Sequence, residues 1–268
     1  MSISLPPIRD VIRRHGLDAK KKFGQHFLLD GNLTDRIVRE AGHLSGRHVI
    51  EIGPGPGGLT RSLLAAEPAS LTAVERDPRC VESLLELKDV FPTPFELIEA
   101  DALEVKLDDL APAPRVIVAN LPYNVGTALL INWLHQRDGL EKMVLMFQRE
   151  VAERIAAPPA TGAYGRLAVL TQWLCETRIL FNIDARAFTP SPKVQSAVIE
   201  IIPRTEPLFE ADLKKLERVT QAAFGQRRKM LRGSLKSLGI KPEDADIDPQ
   251  KRAEELDVEA FCRLARLL

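Results

Sequence analysis

The sequence predicts an α/β fold, a mostly parallel sheet wrapped by helices, followed by a small all-α C-terminal domain. Three observations carry that prediction. Short β-branched runs alternate with longer helix-like segments through the first two-thirds of the chain, the pattern of βαβ units. The first run ends in the turn Gly53-Pro54-Gly55-Pro56-Gly57-Gly58, a form suited to a backbone that turns tightly and approaches a ligand. After Pro203 the strand signal stops and short helical segments take over.

In chain order, strands are expected over residues 48–52, 71–75, 95–99, 115–119 and 142–148, with helices over 58–67, 78–90 and 127–136. The alternation implies a sheet covered on both sides. Two further β-rich runs, 167–181 and 194–202, follow a connection containing Pro158, Pro159, Gly162 and Gly165. They are expected to add an antiparallel edge. Beyond Pro207 the segments 211–224, 227–237, 249–253 and 258–267 read as short helices. Pro207 marks the expected boundary: a first domain over 1–206, with 1–19 as a flexible N-terminal extension, and a helical domain over 207–268.

With 268 residues, 45% hydrophobic and 28% charged, the chain has the balance of an ordinary globular protein. No apolar run reaches bilayer length, and the first 14 residues lack the apolar core of a secretory signal. Cys80, Cys175 and Cys262 form no CxxC pair and have no clustered His partner, so neither structural zinc nor a disulfide framework is expected. The expected setting is the cytoplasm, with no membrane partner and no metal. Lys+Arg and Asp+Glu both number 37, which by itself argues against a nucleic-acid partner. The distribution says more. Residues 224–241 hold Arg227, Arg228, Lys229, Arg232, Lys236 and Lys241 and no acid, whereas 243–259 hold eight acids and two bases. A second basic group is Lys20-Lys21-Lys22. Salt screens charges beyond about 8–10 Å, so local clusters matter more to a phosphate backbone than the sum. The plain alternative for such a run is a solvated face.

The glycine turn also fits GxGxxG through Gly53, Gly55 and Gly58, so a dinucleotide site has to be weighed. The second strand ends at Glu75, twenty positions after Gly55, where a carboxylate would meet a ribose diol. NAD and S-adenosylmethionine both carry that ribose, so these two features do not separate them. The downstream residues do. The third strand leads to Asp101, placed to accept from the exocyclic amine of an adenine, and the fourth ends in Asn120-Leu121-Pro122-Tyr123. Hydride transfer has no clear use for that tetrapeptide. A plain turn and a plain helix cap remain the structural alternatives for the glycines and the acids.

An adenine amino nitrogen is a poor nucleophile because its lone pair is delocalised into the ring. The Asn120 side-chain oxygen could accept one of its N–H groups and a carbonyl in the Leu121–Pro122 turn the other. Both bonds would strengthen as positive charge develops. Proline stiffens the turn, and Tyr123 could stack on the base, worth about 1–3 kcal/mol. Phe188, in Phe188-Thr189-Pro190-Ser191-Pro192-Lys193-Val194-Gln195-Ser196, is a second stacking candidate; its alternative is a core phenylalanine ahead of a strand.

Together these segments resemble the KsgA/RsmA-type ribosomal RNA adenine dimethyltransferases. The matching residues are Lys22-Phe23-Gly24-Gln25-His26-Phe27-Leu28, Glu51-Ile52-Gly53-Pro54-Gly55, Glu75, Asp101-Ala102, Asn120-Leu121-Pro122-Tyr123-Asn124, the Phe188 run, and Phe224-Gly225-Gln226-Arg227-Arg228-Lys229-Met230-Leu231. The resemblance runs from about Lys20 to the C-terminus. It implies a Rossmann-like class I methyltransferase domain using S-adenosyl-L-methionine. The implied substrate is a pair of adjacent adenosines near the 3′ end of 16S rRNA, in a precursor small (30S) ribosomal subunit, methylated by a monomer. It also implies that His26, Leu28, Gly53, Gly55, Glu75, Asp101 and Asn120 hold the cofactor, with Asn120, Leu121, Pro122, Tyr123 and Phe188 at the target amine. Arg227, Arg228, Lys229, Arg232 and Lys236 then read as contacts to RNA phosphates. One departure stands out: His26 occupies the place of Asn in the usual GQNFL pattern. The competing readings are an Erm-type methyltransferase of large-subunit RNA, a non-catalytic ribosome-assembly or transcription factor, and an NAD-dependent oxidoreductase.

Overall fold

The structure, a computed structural model, describes residues 5–18, 25–226 and 228–268. Lys20, Lys21, Lys22, Phe23, Gly24 and Arg227 therefore lie outside the described residues. Helix α1 (Ile8–Arg14), strand β1 (Phe27–Leu28) and helix α2 (Gly31–Ala41) come first. An alternating series follows: β2 (His48–Ile52), α3 (Gly58–Ala65), β3 (Ser70–Glu75), α4 (Pro78–Leu85), β4 (Phe95–Glu99), α5 (Leu107–Leu110), β5 (Arg115–Asn120), α6 (Gly126–Leu134) and β6 (Leu140–Gln148). Then come α7 (Arg149–Ile155), α8 (Arg166–Leu174), β7 (Cys175–Ile183), β8 (Phe188–Thr189), β9 (Ser196–Pro203), α9 (Leu213–Phe224), α10 (Leu231–Ser234) and α11 (Val258–Arg266).

Seven strands form one sheet in the order β4-β3-β2-β5-β6-β9-β7. The pairs among β4, β3, β2, β5 and β6 are parallel, and β9 runs antiparallel to β6. This is the Rossmann-like arrangement expected. The order reverses at β2, which has β3 on one side and β5 on the other. Loops leaving β2 and β5 therefore diverge, opening a crevice at their carboxyl ends. Val49, Leu63, Leu64, Leu71, Val116 and Val118 are fully or almost fully buried in the core around these strands, each stabilising the fold by about 1.5–3 kcal/mol. Aspartates set helix starts: Asp30 accepts from Asn32 N ahead of α2, and Asp77 from Arg79 N ahead of α4, where Pro78 fits the first turn.

Three regions differ from expectation. Residues 166–174 form α8 rather than strand. Seven of its nine residues are buried, and a helix apolar all round shows no period to distinguish it from a buried strand. Residues 8–14, expected within a flexible extension, form α1, whose Val11 packs with Leu17 and Cys80 while Arg14 and His15 meet Glu86. The chain also divides elsewhere than at 206/207. One compact unit is Met1–Arg149 with Ile179–Ile201, and the other is Glu150–Arg178 with Ile202–Leu268.

Within the second unit, the chain around Pro207 returns onto α8. Trp173 Nε1 donates to the Phe209 carbonyl at 2.7 Å, and the Arg204 and Leu208 amides donate to the Leu174 and Trp173 carbonyls. Tyr164, Phe224 and Phe261 form a ring cluster with centroids 6.1 and 5.3 Å apart. Pro207 thus marks a bend, and the helix before it belongs with the helices after it.

Candidate active site

The cleft is built from the tip of β2 outward. Gly55 has φ +56°, and a Cβ there would stand 3.0 Å from the Phe27 ring; one on Gly58 would stand 2.7 Å from the Leu28 carbonyl oxygen. Only glycine lets the turn pass under β1 at these two points. Gly53 abuts Pro122, whose ring lies 3.5 Å from where its Cβ would be. The tips of β2 and β5 are therefore in contact.

Glu75, at the end of β3, is 7% exposed. Its Oε2 accepts from Gly55 N at 3.0 Å, and its Oε1 accepts from Arg76 N and Asp77 N, each at 2.8 Å. Burial raises its pKa, and the three backbone donors pull it back down. A carboxylate offers roughly four acceptor positions, so these bonds leave Oε2 one position for a hydroxyl. Asp101 accepts from Leu103 N at 3.0 Å and pairs with Arg76 across 2.9 Å. Asn120 donates from Nδ2 to the His26 carbonyl at 3.1 Å. Since a carbonyl only accepts, this contact settles the amide's orientation and leaves Oδ1 as its acceptor.

His26, Leu28, Gly53, Gly55, Glu75, Asp101, Asn120, Leu121, Pro122 and Tyr123 all line one cleft with about 1070 Å³ of empty space, counting its open mouth. Phe188 is the exception. It is 3% exposed, belongs to the hydrophobic core, and pairs with Leu28 where β8 runs antiparallel to β1. The stacking role expected of it is not supported, because its ring is spent on packing.

Neighbours of Phe188 bind residues that line the cleft. Ser196 Oγ lies 2.6 Å from the Tyr123 hydroxyl, and the Pro190 carbonyl accepts from His26 Nδ1 at 2.7 Å. Burial raises the Tyr123 pKa, and the Ser196 hydrogen bond lowers it. The His26 ring stacks on Tyr123 with centroids 5.2 Å apart and planes 29° apart.

Glu51 also received no role from sequence reasoning. It lines the cleft floor at 1% exposure, and its Oε2 has no hydrogen-bond partner among the described residues. Burial pushes its pKa up to about 8, the nearby Glu75 carboxylate adds to this, and Thr60 opposes it. Thr60 Oγ1 is itself buried and falls short of a hydrogen bond. The available signal was a lone acid inside the apolar run His48-Val49-Ile50-Glu51-Ile52. Gln25 and Arg76 line the same cleft, and Gln25 Nε2 donates to Asp77 at 3.3 Å.

In the other unit Arg228, Lys229, Arg232 and Lys236 are exposed. Among the described residues none of the four takes part in a salt bridge.

The parallel sheet, the glycine turn beneath β1 and the acids at successive strand tips define a class I S-adenosylmethionine-dependent methyltransferase. Comparison with known proteins narrows the class. The sequence model of the family described as ribosomal RNA adenine dimethylase matches residues 16–268. The chain is 58% identical to a Ribosomal RNA small subunit methyltransferase A from Paramagnetospirillum magneticum, over 98% of this chain and 95% of the relative. Among solved structures, a dimethyladenosine transferase from Plasmodium falciparum superposes with a TM-score of 0.76 at 25% identity, covering 89% of this chain and 96% of that one. The 23S rRNA methyltransferase ErmE does so with 0.68 at 30%, covering 90% and 98%. The chain belongs to the ribosomal RNA adenine dimethylase family.

Proposed function

We propose that the protein transfers methyl groups from S-adenosylmethionine to N6 of two adjacent adenosines near the 3′ end of 16S rRNA. Its substrate is a precursor small subunit, and it works as a monomer in the cytoplasm. The observation that carries the reading is Asn120. Its amide is turned by the His26 carbonyl so that Oδ1 serves as acceptor in the same cleft as the glycine turn and Glu75.

The cleft fits the cofactor on its own chemistry. Gly55 and Gly58 let the turn pack against β1 at the edge of the cleft, Glu75 Oε2 retains one acceptor position for a ribose hydroxyl, and Glu51 Oε2 is a buried polar atom with no partner among the described residues. His26, Leu28, Gly53, Gly55, Glu75, Asp101 and Asn120 would line the bound molecule, with Asp101 facing the adenine amine. When bound, S-adenosylmethionine supplies an electrophilic sulfonium methyl.

The protein's part is to hold the acceptor nitrogen. Asn120 Oδ1 accepts one of its N–H groups. The Pro122 carbonyl already accepts from the Val125 and Gly126 amides, which leaves the Leu121 carbonyl for the other. Both bonds strengthen as charge develops on nitrogen, so they favour the transition state over the bound base. Tyr123 offers a stacking face. No general base is needed before transfer, and positioning supplies most of the rate.

Arg228, Lys229, Arg232 and Lys236, with Arg227, serve as contacts to RNA phosphates, which orient a substrate without reading its bases. Replacing two of them should weaken RNA binding with little change in which bases are methylated, and should flatten its salt dependence by about one unit of slope per charge. Similarity to ErmE makes large-subunit RNA the alternative substrate. Mass spectrometry after incubating both unmodified subunits with protein and labelled cofactor tests this. Dimethyladenosine is expected in 16S rRNA, and label confined to large-subunit RNA would refute the proposal.

A further inference from the structure

His26 stands where an assignment to the cofactor leaves most of its contacts unexplained. Its ring lies on Tyr123 at 5.2 Å and 29°, its Nδ1 sits 2.7 Å from the Pro190 carbonyl, and its own carbonyl receives Asn120 Nδ2 at 3.1 Å. One residue thus touches the tetrapeptide at both ends while being tied to the β8–β9 connection. Because a carbonyl only accepts, Nδ1 carries the proton in that bond, and the ring is held between two partners.

We propose that His26 is a positioning residue for the base that accepts the methyl group, acting through Tyr123 and Asn120. This rests on the adenine methyltransferase reading and adds which side of the cleft the histidine serves. Tyr123 is fixed at its tip by Ser196, 2.6 Å away, and covered on one face by the imidazole. A ring anchored in that way cannot turn, and it offers a single face to an incoming purine. The contact to Asn120 aims Oδ1 in the same step. An asparagine at position 26, as in GQNFL, has no ring to cover Tyr123. This chain therefore supports its acceptor slot by stacking, and ring character at position 26 should matter.

The test compares His26→Ala, His26→Asn and His26→Phe with the unaltered protein on unmodified small subunits. Cofactor affinity is measured separately, by calorimetry with S-adenosylhomocysteine. Failure of the unaltered protein to methylate either subunit would sink the underlying reading, and this inference with it. With that protein active, KM for RNA should change by more than cofactor Kd in all three variants, because His26 also borders the cofactor cleft while its stacking contact is with Tyr123. His26→Ala should lower kcat/KM for RNA by about tenfold or more, chiefly through KM, in line with the loss of an aromatic support. His26→Phe should recover more of that loss than His26→Asn does. If His26→Ala does not fold, the Phe-against-Asn ranking still decides. A tenfold weaker cofactor Kd with unchanged KM for RNA overturns the proposal. So does a His26→Phe variant that performs no better than His26→Asn.

Discussion

The two walls of the cleft are held in different ways. On the wall proposed to hold the cofactor the support is backbone: three amides bind Glu75, and glycines pass under β1 where no Cβ fits. All the groups around Glu75 fall between residues 51 and 77. On the wall proposed to hold the acceptor base the support is side chains that meet across long stretches of sequence. Asn120 and His26 are 94 positions apart, Tyr123 and Ser196 are 73, and His26 and Pro190 are 164. The first wall is built by local turn geometry and tolerates little change. The second is assembled by sheet topology, and single contacts in it can be exchanged.

The sharpest test of this division is Asn120→Ala. It removes the acceptor proposed to strengthen in the transition state, and losses of this type run to about 10²–10³ in kcat. Single-turnover assays should show that loss with a much smaller change in S-adenosylhomocysteine affinity. If affinity fell in step with kcat, the two walls would not be separable at the tip of β5.

Glu51→Gln probes the other wall through pH. The folded-state pKa of Glu51, about 8, lies above the carboxylate reference of 4.5. The folded protein therefore keeps a proton that the unfolded chain releases. That contribution is complete below pH 4.5 and is lost progressively as pH rises to about 8. Thermal denaturation without ligand should show the variant holding its Tm between pH 5 and 8 better than the unaltered protein. Glu75, also raised, leaves a residual slope of the same sign. Identical pH slopes in the two proteins would mean that Glu51 is not buried as a neutral acid.

How far the sequence was readable follows the same line. The glycine turn, Glu75, Asp101 and the tetrapeptide were legible because each sits at a strand end, where spacing alone fixes position. The β2 to β6 strands were legible because short β-branched runs alternate with helix-like segments there. For Phe188 the core alternative describes its place, because a motif names a segment and not the atom that matters: its neighbours Pro190 and Ser196 bind His26 and Tyr123, which line the cleft, while Phe188 faces the core. The pairing of β1 with β8 brings residues 27–28 onto 188–189, and no local pattern announces a contact at that distance. Residues 167–174, the first part of the run read as 167–181, form a helix that was not legible because burial on nearly every side erases the helical period, while the rest of the run is strand β7.

Gly58→Ala should cost less than the changes above. Its new Cβ would stand 2.7 Å from a backbone carbonyl, which no side-chain rotation relieves. Overpacking of this kind costs about 1–3 kcal/mol. The expected result is a lower Tm together with weaker S-adenosylhomocysteine binding, since the displaced strand is β1 and Leu28 lines the cleft. A Tm loss with unaltered affinity would show that the turn can shift without disturbing the pocket.

The smallest effect is expected at Tyr123→Phe, which keeps the ring and removes only the hydroxyl bound to Ser196. A single neutral hydrogen bond contributes about 0.5–1.5 kcal/mol, so kcat/KM for RNA should fall by less than about tenfold while cofactor Kd holds. Ser196 is wholly buried, so either single change strands one polar group and overstates the bond. The double variant Tyr123→Phe with Ser196→Ala removes both partners and should lose less than the two single losses added together. Strict additivity would mean that the 2.6 Å contact does not tie the ring to β9. The stacked imidazole would then be its remaining anchor, and the acceptor wall would depend on position 26 alone.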